Sequence, residues 1–135
     1  MKSFLLSSLL LVSLVFSCGN DDDGGSPEPA MDLTTQIVGN YAGIISVEGS
    51  IGILGAITPA TITRVNNGEI RIVTVSDVND WEQMSFNATM SSATAFSASG
   101  IMWEGETFSA SGTLVGDELT ITFSGSVEGE YEGSK

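Results

Sequence analysis

From Ile37 onward the chain alternates apolar and polar residues with a period of two, and this constrains its fold more than any other feature. A period of two marks a strand with one buried face. Ile37, Gly39, Tyr41, Gly43, Ile45 and Val47 share one face of a first strand. Runs 61–65 and 69–75 flank Asn66-Asn67-Gly68, a hairpin signal because Asn-Gly accepts positive φ at little cost. Met84, Phe86, Ala88 and Met90 lie opposite Ser85, Asn87 and Thr89. A further strand covers 93–99 with Phe96 and Ala98 aligned, after which Ile101, Trp103 and Gly105 oppose Met102, Glu104 and Glu106. Phe108, Ala110, Gly112 and Leu114 form the next face, and Gly116-Asp117 fits a type II′ turn. Leu119, Ile121 and Phe123 follow, then Val127, Gly129 and Tyr131 opposite Glu128, Glu130 and Glu132. Three glutamates on one face require water there.

No stretch after Ile37 carries a 3.6-residue period. The segment 51–57, Ile-Gly-Ile-Leu-Gly-Ala-Ile, is too glycine-rich for a good helix and reads as a strand or an apolar loop. Seven to nine short strands at near-regular spacing, joined by hairpin-length turns, predict an all-β antiparallel meander. It closes as a small up-and-down barrel with the last strand against the first; a β-sandwich is the alternative.

Composition narrows the chemistry. The chain has no histidine and one cysteine, Cys18, so the usual general base, nucleophile–base pairs and zinc ligands are missing and no intrachain disulfide can form. The expectation is a protein that is not an enzyme and carries no cofactor. All 17 acidic residues follow Cys18, and only Arg64, Arg71 and Lys135 follow it among the basic ones, giving −14 for that part of the chain. Such a balance disfavours nucleic acid and anionic lipid surfaces and favours a solvated surface or cationic partners.

The N-terminus reads Met1-Lys2-Ser3, then an almost wholly apolar run over 4–16, then Ser17-Cys18. One basic residue, a short apolar core and a small residue before the cut describe a secretory signal peptide. The apolar run is 13 residues, against the roughly 20 of a membrane span. Val15-Phe16-Ser17-Cys18 resembles the lipobox of bacterial lipoproteins, with Phe16 bulkier than that pattern has. The resemblance implies cleavage before Cys18, lipidation of that cysteine and attachment to a bilayer through its acyl chains. Asp21-Asp22-Asp23 resembles the surface-export signal of Bacteroidota lipoproteins, which implies an outer-membrane protein facing the exterior. A soluble spacer is the plainer reading of those aspartates. The division is a signal peptide over 1–17, a lipidated acidic tether rich in Gly, Ser and Pro over 18–34, and a β domain over 35–135.

Gly39-Asn40-Tyr41 resembles the Gly-x-Trp opening of lipocalins, with tyrosine for tryptophan. The sequence 112–123, from Gly112 to Phe123, is similar to the closing hairpin of lipocalin-like lipoproteins from Bacteroidota. The lipocalin Thr-Asp-Tyr motif and the basic residue near the last strands are missing. The resemblance implies a lipocalin-like, or calycin-like, barrel that binds a small apolar or amphipathic molecule. Its candidate cavity wall is Tyr41, Met84, Phe86, Phe96, Trp103, Phe108, Phe123 and Tyr131. The competing expectation is a structural or interaction protein of the envelope with a filled core and an envelope protein as partner.

Other constellations are weaker. Asp77, Asn79, Asp80 and Glu82 supply hard oxygen ligands in the loop 76–82, without the EF-hand glycine and distal glutamate; a solvated turn is the plainer reading. Glu104 and Glu106 are spaced to share a strand face, where paired carboxylates would need an apolar setting that this segment lacks. Trp81, in the acidic loop, is a lone candidate for stacking on sugars. Gly39, Gly43, Gly105, Gly112 and Gly129 interrupt the apolar faces, either to let strands coil or to leave room for a ligand.

Overall fold

The computed structural model describes residues 30–50, 52–74 and 82–135. Eight strands, β1 (Gly39–Gly49), β2 (Gly52–Asn66), β3 (Glu69–Thr74), β4 (Met84–Ser92), β5 (Ala95–Trp103), β6 (Glu106–Val115), β7 (Glu118–Gly125) and β8 (Glu128–Ser134), follow one another around a closed antiparallel barrel. β8 pairs with β1, with Ile45 opposite Tyr131 and Gly43 opposite Gly133. The meander expected from the alternation is the observed topology, and the sandwich is not. There is no helix among the described residues.

The phase of the alternation decides which face is buried. Tyr41, Ile45 and Val47 of β1, Met84, Phe86, Ala88 and Met90 of β4, and Leu119, Ile121 and Phe123 of β7 all point into one core, while Glu128, Glu130 and Glu132 face water. This is the reverse of a transmembrane barrel, whose apolar band faces lipid.

The hairpin expected at Asn66-Asn67-Gly68 is present, with Asn67-Gly68 closing β2–β3, but neither residue takes the positive φ that marks an Asn-Gly turn; the Asn66 side chain accepts from the Gly68 N–H at 2.9 Å and β2 is irregular between Arg64 and Asn66. Gly116 has φ +61 at the first central position of the β6–β7 turn, as a II′ turn requires.

Two expectations need correction, and one left open is resolved. The strand placed at 93–99 and the separate run from Ile101 are one strand, β5, starting at Ala95 and bulged between Ala98 and Ile101. Ser99 and Gly100 supply the extra residue, with Gly100 at φ +65. The bulge shifts the inward phase from Phe96 to Ile101 and Trp103, which periodicity alone reads as a new strand. Glu104 and Gly105 form the β5–β6 turn, with φ +53 and +78, so Glu104 and Glu106 do not share a strand face and Gly105 does not line the core. The segment 52–57 is strand: it pairs with β1, burying Leu54 while Ile53 and Ile57 face outward.

Packing begins before residue 35. Leu33 leans on the core, Thr34 and Ile37 are fully buried, and the turn over 35–37 caps the barrel end formed by the β2–β3, β4–β5 and β6–β7 turns. The Leu33 N–H donates to the Asn67 carbonyl, and Asn67 Nδ2 donates to the Ala30 carbonyl. Asp32 Oδ1 accepts from the Thr34 N–H and hydroxyl, and Asp32 bridges to Arg64 at 3.1 Å. The signal peptide, Cys18 and its acidic cluster, and the 76–81 part of the acidic loop including Trp81 lie outside the described residues.

Candidate functional site

The barrel interior is where the cavity-wall residues were expected to converge. All eight are buried: Tyr41, Met84, Phe86, Phe96, Trp103, Phe108, Phe123 and Tyr131. They are distributed along the whole barrel axis. Tyr41 and Phe96 lie toward the end capped by residues 30–38, Phe123 and Tyr131 near the middle, and Met84, Trp103 and Phe108 toward the other end.

Contacts among them are mutual. Phe108 and Phe123 meet edge to face with centroids 5.9 Å apart. The Tyr131 hydroxyl donates to the Tyr41 carbonyl at 3.2 Å, and the Tyr41 hydroxyl donates to the Ile37 carbonyl at 2.6 Å. Trp103 Nε1 donates to the Glu82 carbonyl at 2.9 Å, which ties β5 to the start of β4.

Rings cover three glycines of the wall, Gly43, Gly112 and Gly133, whereas Gly129 abuts the Ser46 and Val47 backbone and Gly39 the Lys135 side chain. Gly112 lies directly across from Phe96, and a side chain there would collide with the Phe96 ring. A side chain at Gly43 would strike both the Tyr131 ring and the Glu132 backbone, and one at Gly133 would strike Tyr131 again. These are cross-strand and neighbouring pairs in which an aromatic ring covers the bare backbone of a glycine.

Among the described residues, the concavities of the outer surface include three open ones that none of the eight residues lines. One, of about 540 Å³, runs over β1, β8 and β7 and reaches Ile57 of β2, with Ile44, Glu118 and Glu132 on its wall. A second, also about 540 Å³, is lined by Asn87, Thr89 and a set of serines from β5, β6 and β7, with Ala88, Ala98 and Ala110 between them. It lies beside the shortest seam of the barrel: β4 and β5 pair only from Thr89 to Ser92, and the pairing stops at Ser97, just before the β5 bulge. The third, of about 440 Å³, lies between Glu48, Glu106 and Glu128.

Periodicity missed the outward apolar residues. Ile44 on β1 and Ile57 on β2 are directly opposite one another and 57% and 85% exposed. Ile53, farther along β2, is 72% exposed. Their signal was in the sequence: each is apolar but out of phase with its strand's buried set. Among the described residues no cluster of three or more acidic side chains is arranged to hold a metal ion, and of the calcium candidates only Glu82 is described. Its N–H donates to the Glu104 carboxylate, while Glu106 accepts from the Ser50 hydroxyl.

Electrostatics follow burial. Desolvation raises the Tyr41 phenol to about 12, with Asp117 and Tyr131 adding to the effect. Desolvation also raises Tyr131, opposed by a backbone hydrogen bond from Ala60. The Thr34 hydroxyl, then the Thr34 N–H, hold Asp32 below its ordinary value; partial desolvation opposes them and Arg64 adds to the lowering.

These directions fix a pH dependence. A phenol whose pKa is higher in the fold than in the unfolded chain contributes stability that is whole below the unfolded value of 10.0 and lost as pH rises through the folded value. The barrel is therefore expected to lose stability from about pH 10 toward about 12, with phenolate absorbance appearing together with loss of the β-sheet circular dichroism. Ionisation of both tyrosines near pH 10 with the barrel intact would contradict this burial.

No family model matches the chain, and no curated protein matches it. Among solved structures, a redesigned beta barrel is similar, with a TM-score of 0.55 and 9% identity, over 78% of this chain and 96% of that one. At that identity the likeness concerns the fold alone.

Proposed function

We propose that this chain is a lipid-anchored, non-catalytic protein of a bacterial cell envelope that works through the outer surface of a filled barrel. The observation that carries the filled-core reading is the fit of rings to glycines: Phe96 over Gly112, and Tyr131 over Gly43 and Gly133. In this reading the protein's own side chains occupy the space that a lipocalin-like barrel would offer a ligand. An eight-stranded barrel is just wide enough for that.

The anchor rests on Val15-Phe16-Ser17-Cys18 and the short apolar run before it. Two or more acyl chains on Cys18 hold a protein stably to a bilayer, where one chain does so only marginally. Attachment to the outer membrane with the barrel facing the exterior rests on Asp21-Asp22-Asp23. Eleven residues lie between Cys18 and Ala30, a reach of about 40 Å at full extension. They join the barrel at the end capped by Asp32, Thr34 and Ile37, so that end faces the membrane and the β1–β2, β5–β6 and β7–β8 turns face away.

A second reading, a bound small apolar or amphipathic molecule, has two observations in its favour. The β4–β5 seam is short, with Phe86, Ile101 and Trp103 beside it. The Thr74 hydroxyl, buried on the inward face, has no hydrogen-bond partner among the described residues.

One experiment addresses both. The full chain is expressed in a diderm host with radiolabelled palmitate, purified in detergent and weighed by native mass spectrometry, then titrated with fatty acids while Trp103 fluorescence is followed in a Trp81→Phe background. The proposal expects label that is lost in Cys18→Ala, a mass with no small molecule added, and an unchanged Trp103 emission. Label surviving in Cys18→Ala overturns the anchor, and a co-purifying molecule or a shift of Trp103 emission overturns the filled barrel in favour of the second reading.

A further inference from the structure

The outer face of β7, β8, β1 and β2 divides into an acidic half and an apolar half. The register places Thr120, Glu132, Ile44 and Ile57 in one row across the four strands. The adjacent row on one side is Thr122, Glu130, Ser46 and Gly55, and on the other Glu118, Ser134, Ala42 and Pro59. A carboxylate column on β8 thus stands beside an apolar column shared by β1 and β2.

Neither half is compensated by the protein itself. Glu48 lies directly opposite Glu128, and Glu130 is two residues along the same strand, a like-charge arrangement that costs stability. The basic residues among the described ones are engaged elsewhere or distant. Arg64 bridges Asp32, and Lys135 donates to the Gln36 carbonyl and lies over the Tyr41 ring. Arg71 is opposite Asn87 on the β3–β4 side of the barrel. Ile44, Ile53 and Ile57 leave their side chains largely in water. Contiguous exposed apolar side chains bordered by charge mark an interaction site on a small protein.

Shape agrees with this division. Gly43 and Gly133 pair across the β1–β8 seam beneath the row containing Glu132 and Ile44, with the Tyr131 ring packed on both from inside. The concavity of about 540 Å³ lies outside this pair, with Ile44 and Ile57 on one flank and Glu118 and Glu132 on the other.

We infer that this face docks a cationic protein segment, one that sets apolar side chains on Ile44 and Ile57 and lysine or arginine side chains on Glu118, Glu130 and Glu132. The inference rests on the reading of the barrel as an interaction module and names its surface and the chemistry of its partner. Charge complementarity selects the occupant: five carboxylates, Glu48, Glu118, Glu128, Glu130 and Glu132, face one side with no basic side chain among them. A bilayer rich in anionic lipid is repelled by the same column. A second copy of this face would bring glutamates against glutamates.

The test uses the full chain in detergent with isoleucine methyl groups labelled for NMR. Ile45, Ile62, Ile70, Ile72 and Ile121, all buried, report on the core, and Ile44, Ile53 and Ile57 report on the face. The probe is a synthetic peptide alternating valine and lysine, compared with one alternating valine and glutamate. The inference expects the lysine peptide to shift the Ile44 and Ile57 methyls and leave the core methyls in place. It also expects affinity to fall with added salt, to drop about fivefold in Glu130→Gln/Glu132→Gln, and to be lost in Ile57→Lys. Core methyl positions confirm that each variant remains folded. Equal binding of the glutamate peptide, shifts confined to other surfaces, or no shift at about 1 mM peptide overturns the inference. Binding elsewhere on the barrel overturns this face alone; movement of the core methyls with Trp103 instead overturns the filled-barrel reading on which it rests.

Discussion

The structure depends on aromatic rings covering glycines inside a narrow barrel. With a single cysteine the chain can form no intrachain disulfide to hold a domain of this size, so its stability leans on burial and backbone pairing. Eight short strands close only if the wall coils sharply, and residues without side chains permit that coil. A bare glycine also leaves a gap in the core. Phe96 fills the one at Gly112, and Tyr131 fills those at Gly43 and Gly133, so the positions that allow closure are also packed. Tyr131 is central to this: it pairs with Ile45 on β1 and Ile121 on β7, and its hydroxyl bonds to the Tyr41 carbonyl, joining the first and last strands from within.

That economy has consequences at the surface. In the proposed reading the core is filled by its own rings and function falls to the outer face, which is unevenly built. Serines and threonines cover the β5–β7 side, while the β7–β8–β1–β2 side sets glutamates against isoleucines. The ends differ as well. One is capped by the segment 30–38, fastened through Asp32, Thr34 and Arg64. The other is drawn together by hydrogen bonds from Trp103 to Glu82 and from Glu82 to Glu104. A tether entering at the capped end would present the rest of the barrel to whatever lies beyond the membrane.

Much of the fold was legible because one-sided burial forces a strict phase. Ile45 and Val47, Phe108 to Leu114, and Leu119 to Phe123 kept their phase throughout, and the Gly116-Asp117 turn followed from the positive φ its glycine accepts, whereas the Asn67-Gly68 hairpin forms where the dipeptide marks it but without positive φ at either residue. Reading failed where a local irregularity broke the phase. The extra residue at Ser99-Gly100 made one strand look like two and sent Glu104 into a strand instead of a turn. The segment 52–57 stayed ambiguous because its glycines hide the alternation, and because Ile53 and Ile57 are apolar on the wet side. The candidate site was legible as a set of inward side chains but not as a filled or hollow space. Alternation gives the direction of a ring; the pairing of Phe96 with Gly112 depends on the register between β5 and β6, which pattern alone does not contain.

The most direct measurement is a double-mutant cycle on Phe96 and Gly112, read by denaturant unfolding of the full chain. If the ring fills the space above the glycine, Phe96→Ala alone costs about 3–5 kcal/mol by leaving a cavity, and Gly112→Ala alone costs about 1–3 kcal/mol by overpacking. The double variant then falls short of their sum by about 1 kcal/mol or more, since the new methyl enters the space the ring has left. A neutral Gly112→Ala, with the two effects simply adding, would mean that the ring and the glycine do not share that space and that the barrel is not filled in this way.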